Sequence, residues 1–387
     1  DAELAAAMRR ELADRLTEAA ASQRPLRVYV GVDPTGTDLT LGHTVPLRKL
    51  RQFQELGHDA IFVVGTFTAR IGDPSDKEAA RRRLTEAEVK AFADKFVTQA
   101  HRVLDPEATE IRYNGDWLAG LDFAALIDLA SNFTVGQFLQ RDNFRRRFGR
   151  GDPIWLHEFF YALMQAYDAV VLEADVQIGG TEQLFNLMAG RKLQEVHGQR
   201  PQVPITLPIL VGLDGHMRMS KSTGNYIGIA EAPEEQFGKT MSLPDHAMAN
   251  WFNLVTAMDP GEIDALLARV EAGAVHPMEA KKRLAREIVT LFHGPEAAEG
   301  AEVHFARTVQ GGQAPREVPA YALAEARGLL EVMASAGLAT SNSEARRLVR
   351  QGGVRLNGET VTDPHLVLDR GPERMLQVGK RRYLRLV

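Results

Sequence analysis

The sequence predicts an α/β protein: a parallel sheet with crossover helices, followed by an all-helical segment and a small α+β module. Three observations carry this. Short β-rich runs alternate with helical patterns from residue 26 to about residue 211, as in successive βαβ units. Strand signals then vanish, and from residue 233 to about residue 307 the apolar spacing is helical throughout. Near the end, Asn357-Gly358 stands between apolar-alternating flanks, a hairpin signal because a primed turn needs positive φ at both central residues.

Taken in order, the candidate strands are 27–32, 60–64, 110–113, 170–177 and 203–211. Between 85 and 104, Val89, Phe92, Phe96, Val97, Ala100, Val103 and Leu104 keep helical spacing, and Thr85 with Glu88 makes a capping box. Gly311, Gly312, Gln313, Ala314, Pro315 and Arg316 read as a linker. Helices near 323–335 and 343–351 and a hairpin over 354–361 follow. The expected divisions are a Rossmann-like parallel-sheet catalytic domain at 1–230, an α-helical domain at 231–312, a linker at 313–320 and a small α+β domain at 321–387.

A chain of 387 residues exceeds one typical core, and 44% hydrophobic with 25% charged residues describes an ordinary globular protein. No apolar run approaches the roughly 18 residues that span a bilayer, and the first 25 residues carry Glu3, Arg9, Arg10, Glu11, Asp14 and Arg15 rather than a signal-peptide stretch. The expectation is a cytoplasmic enzyme without a membrane partner. Zero cysteines remove disulfides, thiolate catalysis and cysteine-ligated zinc together. The net charge of −5 is uneven: residues 321–387 hold 11 Lys plus Arg against 7 Asp plus Glu, net +4, leaving −9 for residues 1–320. A basic tail on an acidic body predicts a polyanion partner.

The first strand runs into Asp33-Pro34-Thr35-Gly36-Thr37-Asp38-Leu39-Thr40-Leu41-Gly42-His43, and a helix follows through Leu47, Leu50 and Phe53. Gly42 and His43 therefore sit at a helix N-terminus beyond a strand's carboxyl end, where free N–H groups and the helix dipole attract phosphate. Neither the dinucleotide nor the P-loop glycine spacing occurs. About 175 residues on, Arg218-Met219-Ser220-Lys221-Ser222 continues into Thr223-Gly224-Asn225, a composition that suits a loop, and its lysine can close over phosphates. Each segment alone also reads as an ordinary capping turn or a solvated loop.

On the helix 157–168, Tyr161, Gln165 and Asp168 stand at i, i+4 and i+7, within about 60° of arc on a face otherwise apolar. Three stacked polar groups need partners, either neighbouring backbone or a ligand.

Together the Leu-Gly-His turn and the Arg-Met-Ser-Lys-Ser run resemble the two signature motifs of class I aminoacyl-tRNA synthetases. Thr40 stands where that family usually has the first motif's histidine, and Arg218 where it has a lysine. The helix 157–168 resembles the tyrosine-binding helix of bacterial tyrosyl-tRNA synthetases. That likeness implies that Tyr29, of Tyr-x-Gly-x-Asp-Pro-Thr, and Asp168 grip the phenol hydroxyl, and that Asp73, Tyr161 and Gln165 hold the α-amino group. It also implies that Asn114, of Tyr113-Asn114-x-Asp116-Trp117, and Gln183 line the same pocket. Gln177-Ile178-Gly179-Gly180-Thr181-Glu182-Gln183 resembles the family's ribose-binding turn, with Glu182 replacing aspartate. The implied ATP set is Gly31, Asp33, Gly42, His43, Gly180, Glu182 and Lys221, and the groups acting on the transferring phosphate are His43, Thr35, Thr40, Arg218 and Lys221, with Mg²⁺ bound through the phosphates and no protein metal ligand. Tyrosyl-tRNA synthetases are themselves the measured case of a site that rejects the analogue lacking the hydroxyl, by about 10⁴ to 10⁵.

The resemblance implies activation of L-tyrosine with ATP, transfer to tRNA(Tyr), and a homodimer formed through inserted helices over the apolar stretch 118–138. At the C-terminus Arg346, Arg347, Arg350, Lys380, Arg381, Arg382 and Arg385 resemble the basic face of an S4-like RNA-binding domain. Arg81, Arg82 and Arg83, or Arg145, Arg146, Arg147 and Arg150, are further basic runs either of which could meet the acceptor end of a tRNA. Two other readings stay open: a divergent paralogue adenylating tyrosine or a related amino acid for another acceptor, and an RNA-binding protein with little catalysis on this scaffold.

Overall fold

The computed structural model describes residues 2–74, 84–310, 318–323, 325–379 and 382–387. The chain divides into two compact units, Asp1–Ala232 with Lys239–Phe292, and Pro233–Gly238 with His293–Val387.

The first unit begins with α1 (Ala2–Ser22), β1 (Arg27–Val32), α2 (Leu41–Glu55), β2 (Asp59–Val64), α3 (Glu86–Ala100) and β3 (Thr109–Tyr113). The short helices α4 (Gly115–Leu118), α5 (Phe123–Ala130), α6 (Val135–Leu139) and α7 (Asp142–Arg150) lead to α8 (Leu156–Val171), β4 (Val176–Gly180), α9 (Leu184–Val196) and β5 (Val203–Leu207). The strands make one sheet in the order β3-β2-β1-β4-β5, every neighbouring pair parallel. Val28, Val30, Phe62 and Val64 are buried on one face and Tyr29, Ile61 and Val63 on the other, as expected of strands covered on both faces by helices. The capping box appears at the start of α3, with the Thr85 side chain accepting from Glu88 N and Glu88 Oε2 accepting from Thr85 N.

The order of the sheet puts its switch point between β1 and β4. Those strands pair only through Val28–Val176 and Tyr29–Gln177, whereas β1 and β2 pair over six positions. Past Tyr29 the two carboxyl ends part, and a crevice opens between Asp33 and Gly180.

Two strand expectations are corrected. Val170 and Val171 finish α8 rather than start a strand; Glu173 reverses the chain at φ 46° and β4 begins at Val176. Their apolar character served the buried helix face. The strand expected over 203–211 stops at Leu207, where Pro208 offers no N–H to a ladder.

The helices α10 (Pro233–Met241), α11 (Met248–Val255), α12 (Pro260–Glu271) and α13 (Pro277–His293) follow. Trp251, Phe252, Val255, Ile263, Leu284 and Ile288 join one continuous core with Val28, Leu47 and Phe62. The expected division at 231–312 thus differs from the packing, in which α11 and α12 share the sheet's core. Among the described residues no helix is long and apolar enough to cross a membrane.

The second unit contains α14 (Pro295–Phe305), β6 (Ala320–Tyr321), β7 (Arg327–Gly328), α15 (Leu329–Ser335), α16 (Asn342–Arg350), β8 (Val354–Leu356), β9 (Glu359–Thr360), β10 (Val367–Leu368), β11 (Arg374–Val378) and β12 (Arg382–Leu386). The expected helix 323–335 starts only at Leu329, because Arg327 and Gly328 pair with β10. The hairpin forms as its turn chemistry requires, with Asn357 at φ 50° and Gly358 at φ 87°. The sheet order is β6-β12-β11-β8-β9, and Leu329, Met333, Val349, Val354, Leu376 and Leu384 fill the core beneath it.

Candidate functional site

The crevice at the β1/β4 switch point is a cavity of about 570 Å³. Tyr29, Gly31, Asp33, Thr35, Thr40, Gly42, His43, Asp73, Asn114, Tyr161, Gln165, Asp168, Gly180, Glu182, Gln183, Arg218 and Lys221 all line it. Sequence positions as far apart as 29 and 221 are thereby brought to one place by strand ends, by the N-terminal turn of α2, by one face of α8 and by the loop after β5.

Its deep end is built around Asp168 of α8, which accepts from Trp117 Nε1 at 2.8 Å and from Asn114 Nδ2 at 3.3 Å. Burial pushes the Asp168 carboxyl up to about 8, while the hydrogen bonds from Trp117 and Asn114 pull the other way. Tyr29 of β1 is fully buried, and its hydroxyl makes no hydrogen bond of ordinary geometry among the described residues. Burial, and then the Asp168 charge, hold that phenol well above its usual range. A buried phenol and a carboxyl thus border a space that a substrate hydroxyl would satisfy from both sides.

From there a polar chain crosses the cavity wall. Asn114 Nδ2 also donates to Thr68 Oγ1 at 3.0 Å, Thr68 donates to Asp33 Oδ1 at 2.7 Å, and Tyr161 donates to Asp33 Oδ2 at 3.0 Å. Asp33 was expected with the nucleotide; its bonds tie it to Tyr161 of α8, on the boundary between the two expected sets. Burial and the Asp33 charge keep the Tyr161 phenol well above its ordinary value. Alongside, Gln183 Nε2 donates to Asp73, and Asn186 Nδ2 bridges Gln165 Oε1 at 2.9 Å and Gln183 Oε1 at 3.0 Å. Carboxylates with amide oxygens between them suit an ammonium group.

The outer wall carries the opposite charge. Lys221 Nζ donates to the Asp38 carbonyl at 2.9 Å and lies 4.8 Å from the centroid of Phe96, a core residue of α3. His43 packs its edge on the same ring, 6.2 Å between centroids. Arg218 Nη1 stands 3.3 Å from Glu182 Oε1. Burial lowers the Arg218 guanidinium and raises the Glu182 carboxyl. The loop is irregular, as its composition predicts, yet anchored: Met219 is buried with its N–H on the Leu210 carbonyl at 3.0 Å, and buried Asn225 accepts from Ser220 N at 2.8 Å and Thr223 Oγ1 at 2.7 Å. Thr40 caps α2 and meets His43 Nδ1 with its backbone N at 3.1 Å and its Oγ1 at 2.8 Å. A Cβ on Gly42 would touch only Thr40 and Met219 at ordinary van der Waals distance, so no neighbouring protein atom requires glycine there.

Several contributors are not legible in the sequence. Trp117 stands three residues after Asn114, but nothing local signals its bond to Asp168. Thr68 and Asn186 connect residues that are distant in the chain, although Asn186 stands one helical turn from Gln183. Gly65 has no room for a side chain, because a Cβ there would collide with Asp33 and Thr68. Phe96 reads as core, and supports Lys221 and His43 from below.

The basic runs separate in the fold. Arg147 is not at the surface: it forms a buried bidentate pair with Glu158 of α8, at 2.7 and 2.9 Å. Its neighbours Arg145, Arg146 and Arg150 are exposed, and Arg145 and Arg150 pair with Asp142 and Asp152. The run 145–150 is therefore not one RNA-facing stripe, since the helical turn sends its middle residue inward. Arg346, Arg347 and Arg350 lie exposed on α16, while Arg382 donates to the Leu338 carbonyl. Arg81, Arg82, Arg83, Lys380, Arg381 and the expected linker 311–316 lie outside the described residues.

The family model described as "tRNA synthetases class I (W and Y)" matches residues 21–310, and that of the S4 domain matches 327–372. The tyrosine–tRNA ligase of Moorella thermoacetica is 52% identical over 377 residues, covering 97% of this chain and 91% of its own. That of Geobacter sulfurreducens is 47% identical over 380 residues, covering 97% and 94%. A crystal structure of tyrosyl-tRNA synthetase from Archaeoglobus fulgidus complexed with L-tyrosine has the same fold, with a TM-score of 0.58 at 22% identity over 74% of this chain and 93% of that one. A family model spanning most of the chain and relatives near half identity over its length have one meaning: the chain belongs to the tyrosine–tRNA ligases of the class I tRNA synthetases.

Proposed function

We infer that the chain activates L-tyrosine with ATP to tyrosyl-adenylate and transfers the tyrosine to tRNA(Tyr). The observation that carries this reading is the division of one cavity into a buried end, bounded by Tyr29 and Asp168, and a cationic rim bearing Lys221, Arg218 and the His43 turn. A phenol hydroxyl fits between Tyr29 and Asp168. The α-ammonium fits among Asp73, Tyr161, Gln165 and Gln183, and the carboxylate is then directed toward the rim. Gly31, Gly42, Gly180 and Glu182 border the nucleotide.

In the first step an oxygen of the tyrosine carboxylate attacks the α-phosphorus and the bond to pyrophosphate breaks. The nucleophile is already ionised, so the chain supplies position and charge rather than a general base. Lys221, Arg218, His43, Thr35 and Thr40 are the groups that would stabilise the charge growing on the leaving pyrophosphate. In the second step a hydroxyl of the terminal tRNA ribose attacks the activated carbonyl and AMP leaves. Mg²⁺ would arrive on the phosphates, and no step here depends on a protein ligand for it.

The exposed arginines of α16 supply the basic surface for tRNA. Phe123, Ile127 and Val135 of α5 and α6 are exposed large apolar residues, which supports self-association of two copies through 118–138. A cytoplasmic setting accords with a substrate tRNA. Pyrophosphate exchange measured with tyrosine, phenylalanine and tryptophan, followed by charging of purified tRNA, tests the reading: tyrosine alone should support exchange. Exchange without charging would favour the paralogue with another acceptor, and absence of exchange would favour an RNA-binding protein.

A further inference from the structure

Glu182 and Arg218 are of the two kinds of group that a nucleotide recruits, an acceptor-only carboxylate for sugar hydroxyls and a planar guanidinium for phosphate. In this chain they are bonded to each other. Arg218 Nη1 meets Glu182 Oε1 at 3.3 Å across the mouth of the crevice, from the loop after β5 to the turn after β4. The other oxygen, Oε2, is buried with no hydrogen-bond partner among the described residues, pressed over Gly180, where a Cβ would collide with it. The length of a glutamate and the fork of an arginine both contribute to the reach of this pair. Lys221, three residues on, is likewise engaged by protein, on the Asp38 carbonyl and the Phe96 face.

We propose that Glu182 and Arg218 form a clasp across the nucleotide crevice that ATP opens from both sides, its vicinal hydroxyls claiming the carboxylate and its polyphosphate claiming the guanidinium. Each half of the nucleotide thereby releases the group that the other half needs. The sugar frees Arg218 for the phosphates; the phosphates free Glu182 for the sugar. Half of the ligand alone must break the pair without recovering its second member. Its apparent affinity is reduced by the fraction of molecules in which the clasp is shut. A partly exposed pair of this geometry makes that factor about three- to fivefold. The proposal rests on the nucleotide part of the function given above.

The test uses the full chain and two half-ligands, adenosine and inorganic tripolyphosphate, in equilibrium titrations. Arg218→Gln should tighten adenosine about three- to fivefold and weaken tripolyphosphate, because the carboxylate is released and the phosphates are deprived of a charged donor. Glu182→Gln should do the reverse. Arg218→Lys keeps the charge and loses the fork, and should tighten adenosine while changing tripolyphosphate by no more than about twofold. This crossed pattern is not what a merely structural pair would give, since damage to the crevice weakens both probes together. If the two probes move in the same direction, or neither moves, in Arg218→Gln and Glu182→Gln, the clasp is overturned. Neither probe involves an amino acid, so that failure leaves the tyrosine reading standing. Absent tyrosine-dependent exchange in the unaltered chain would sink that reading without touching the clasp.

Discussion

Trp117 donates its indole N–H to Asp168 at 2.8 Å, so the carboxyl at the deep end of the cavity is held by a donor from a different segment, 51 residues earlier in sequence. Even so, burial dominates, and pushes the carboxyl up to about 8 from its ordinary 3.8. The sign of its effect on stability follows. Between these values the folded chain keeps a proton that the unfolded chain has released, so the contribution is full below about 4 and is lost as pH rises through 8. Asp168→Asn should remove that limb: its melting temperature should fall less than that of the unaltered chain between pH 5 and pH 9. The gap at pH 9 should correspond to a few kcal/mol. Parallel melting curves across this range would contradict the assignment.

Lys221 touches the Asp38 carbonyl and the Phe96 face, at the rim and away from Asp168. Lys221→Ala should therefore lower the rate of adenylate formation about 10² to 10³-fold and leave the tyrosine dissociation constant within about twofold. Rapid-quench kinetics beside a tyrosine titration reads both quantities. Equal losses in the two would place the lysine in ground-state binding.

Glu158 and Arg147 are both buried and satisfy one another through two parallel bonds. Removing one charge strands the other in a poorly solvated site, so Glu158→Gln should cost about 3 to 5 kcal/mol in urea unfolding. Arg145→Gln, on the same helix as Arg147 but exposed, should cost less than about 0.5 kcal/mol.

The contrast between Arg145 and Arg147 shows where the sequence stops being legible. Periodicity and turn chemistry were enough for α3 and for the Asn357-Gly358 hairpin, because each rests on near neighbours, and the alternation of strand and helix patterns was enough for the parallel sheet, whose pairs are distant in the chain. They could not tell that Val170 completes a helix, since a short buried apolar run reads alike in both states. Every residue expected at the tyrosine and nucleotide site lines the cavity: Gly31, Gly180 and His43 because strand ends and a helix's first turn converge at a switch point, Asp168 and Lys221 because the far part of α8 and the loop after β5 are carried there. The links between them, Trp117 to Asp168, Asn186 to Gln165 and Glu182 to Arg218, depend on side chains meeting across distant segments. No local pattern encodes such meetings.

Arg346, Arg347 and Arg350 project from α16, and among the described residues Arg347 has an acidic neighbour on the helix, Glu344 at 3.8 Å. Replacing all three with glutamine should lower kcat/KM for tRNA charging about 10- to 100-fold and reduce its salt dependence, while tyrosine-dependent exchange stays within about twofold. Loss of exchange as well would mean that the S4 domain supports the catalytic unit rather than the RNA.

Thr40 offers the finest test of the nucleotide side. Its backbone N–H can only donate, and it points at His43 Nδ1 from 3.1 Å, so that nitrogen carries the lone pair and the neutral ring bears its proton on Nε2. The hydroxyl, 2.8 Å from the same nitrogen, then donates as well. Two donors on one acceptor fix both tautomer and ring angle, and Thr40 is almost fully buried, so water does not compete. Thr40→Val keeps the shape and the backbone donor and removes the hydroxyl. It should lower the rate of adenylate formation about 3- to 10-fold, with the tyrosine KM unchanged. Thr40→Ser should restore the rate to within about twofold, because it returns the donor. Nitrogen-15 chemical shifts of the His43 ring would follow the same order: the Nε2–H form dominates in all three because the backbone donor is kept, and the Nδ1 signal moves downfield in Thr40→Val as its second donor is lost. A rate loss in Thr40→Val without any change in those shifts would assign the hydroxyl to the phosphates directly and not to the histidine.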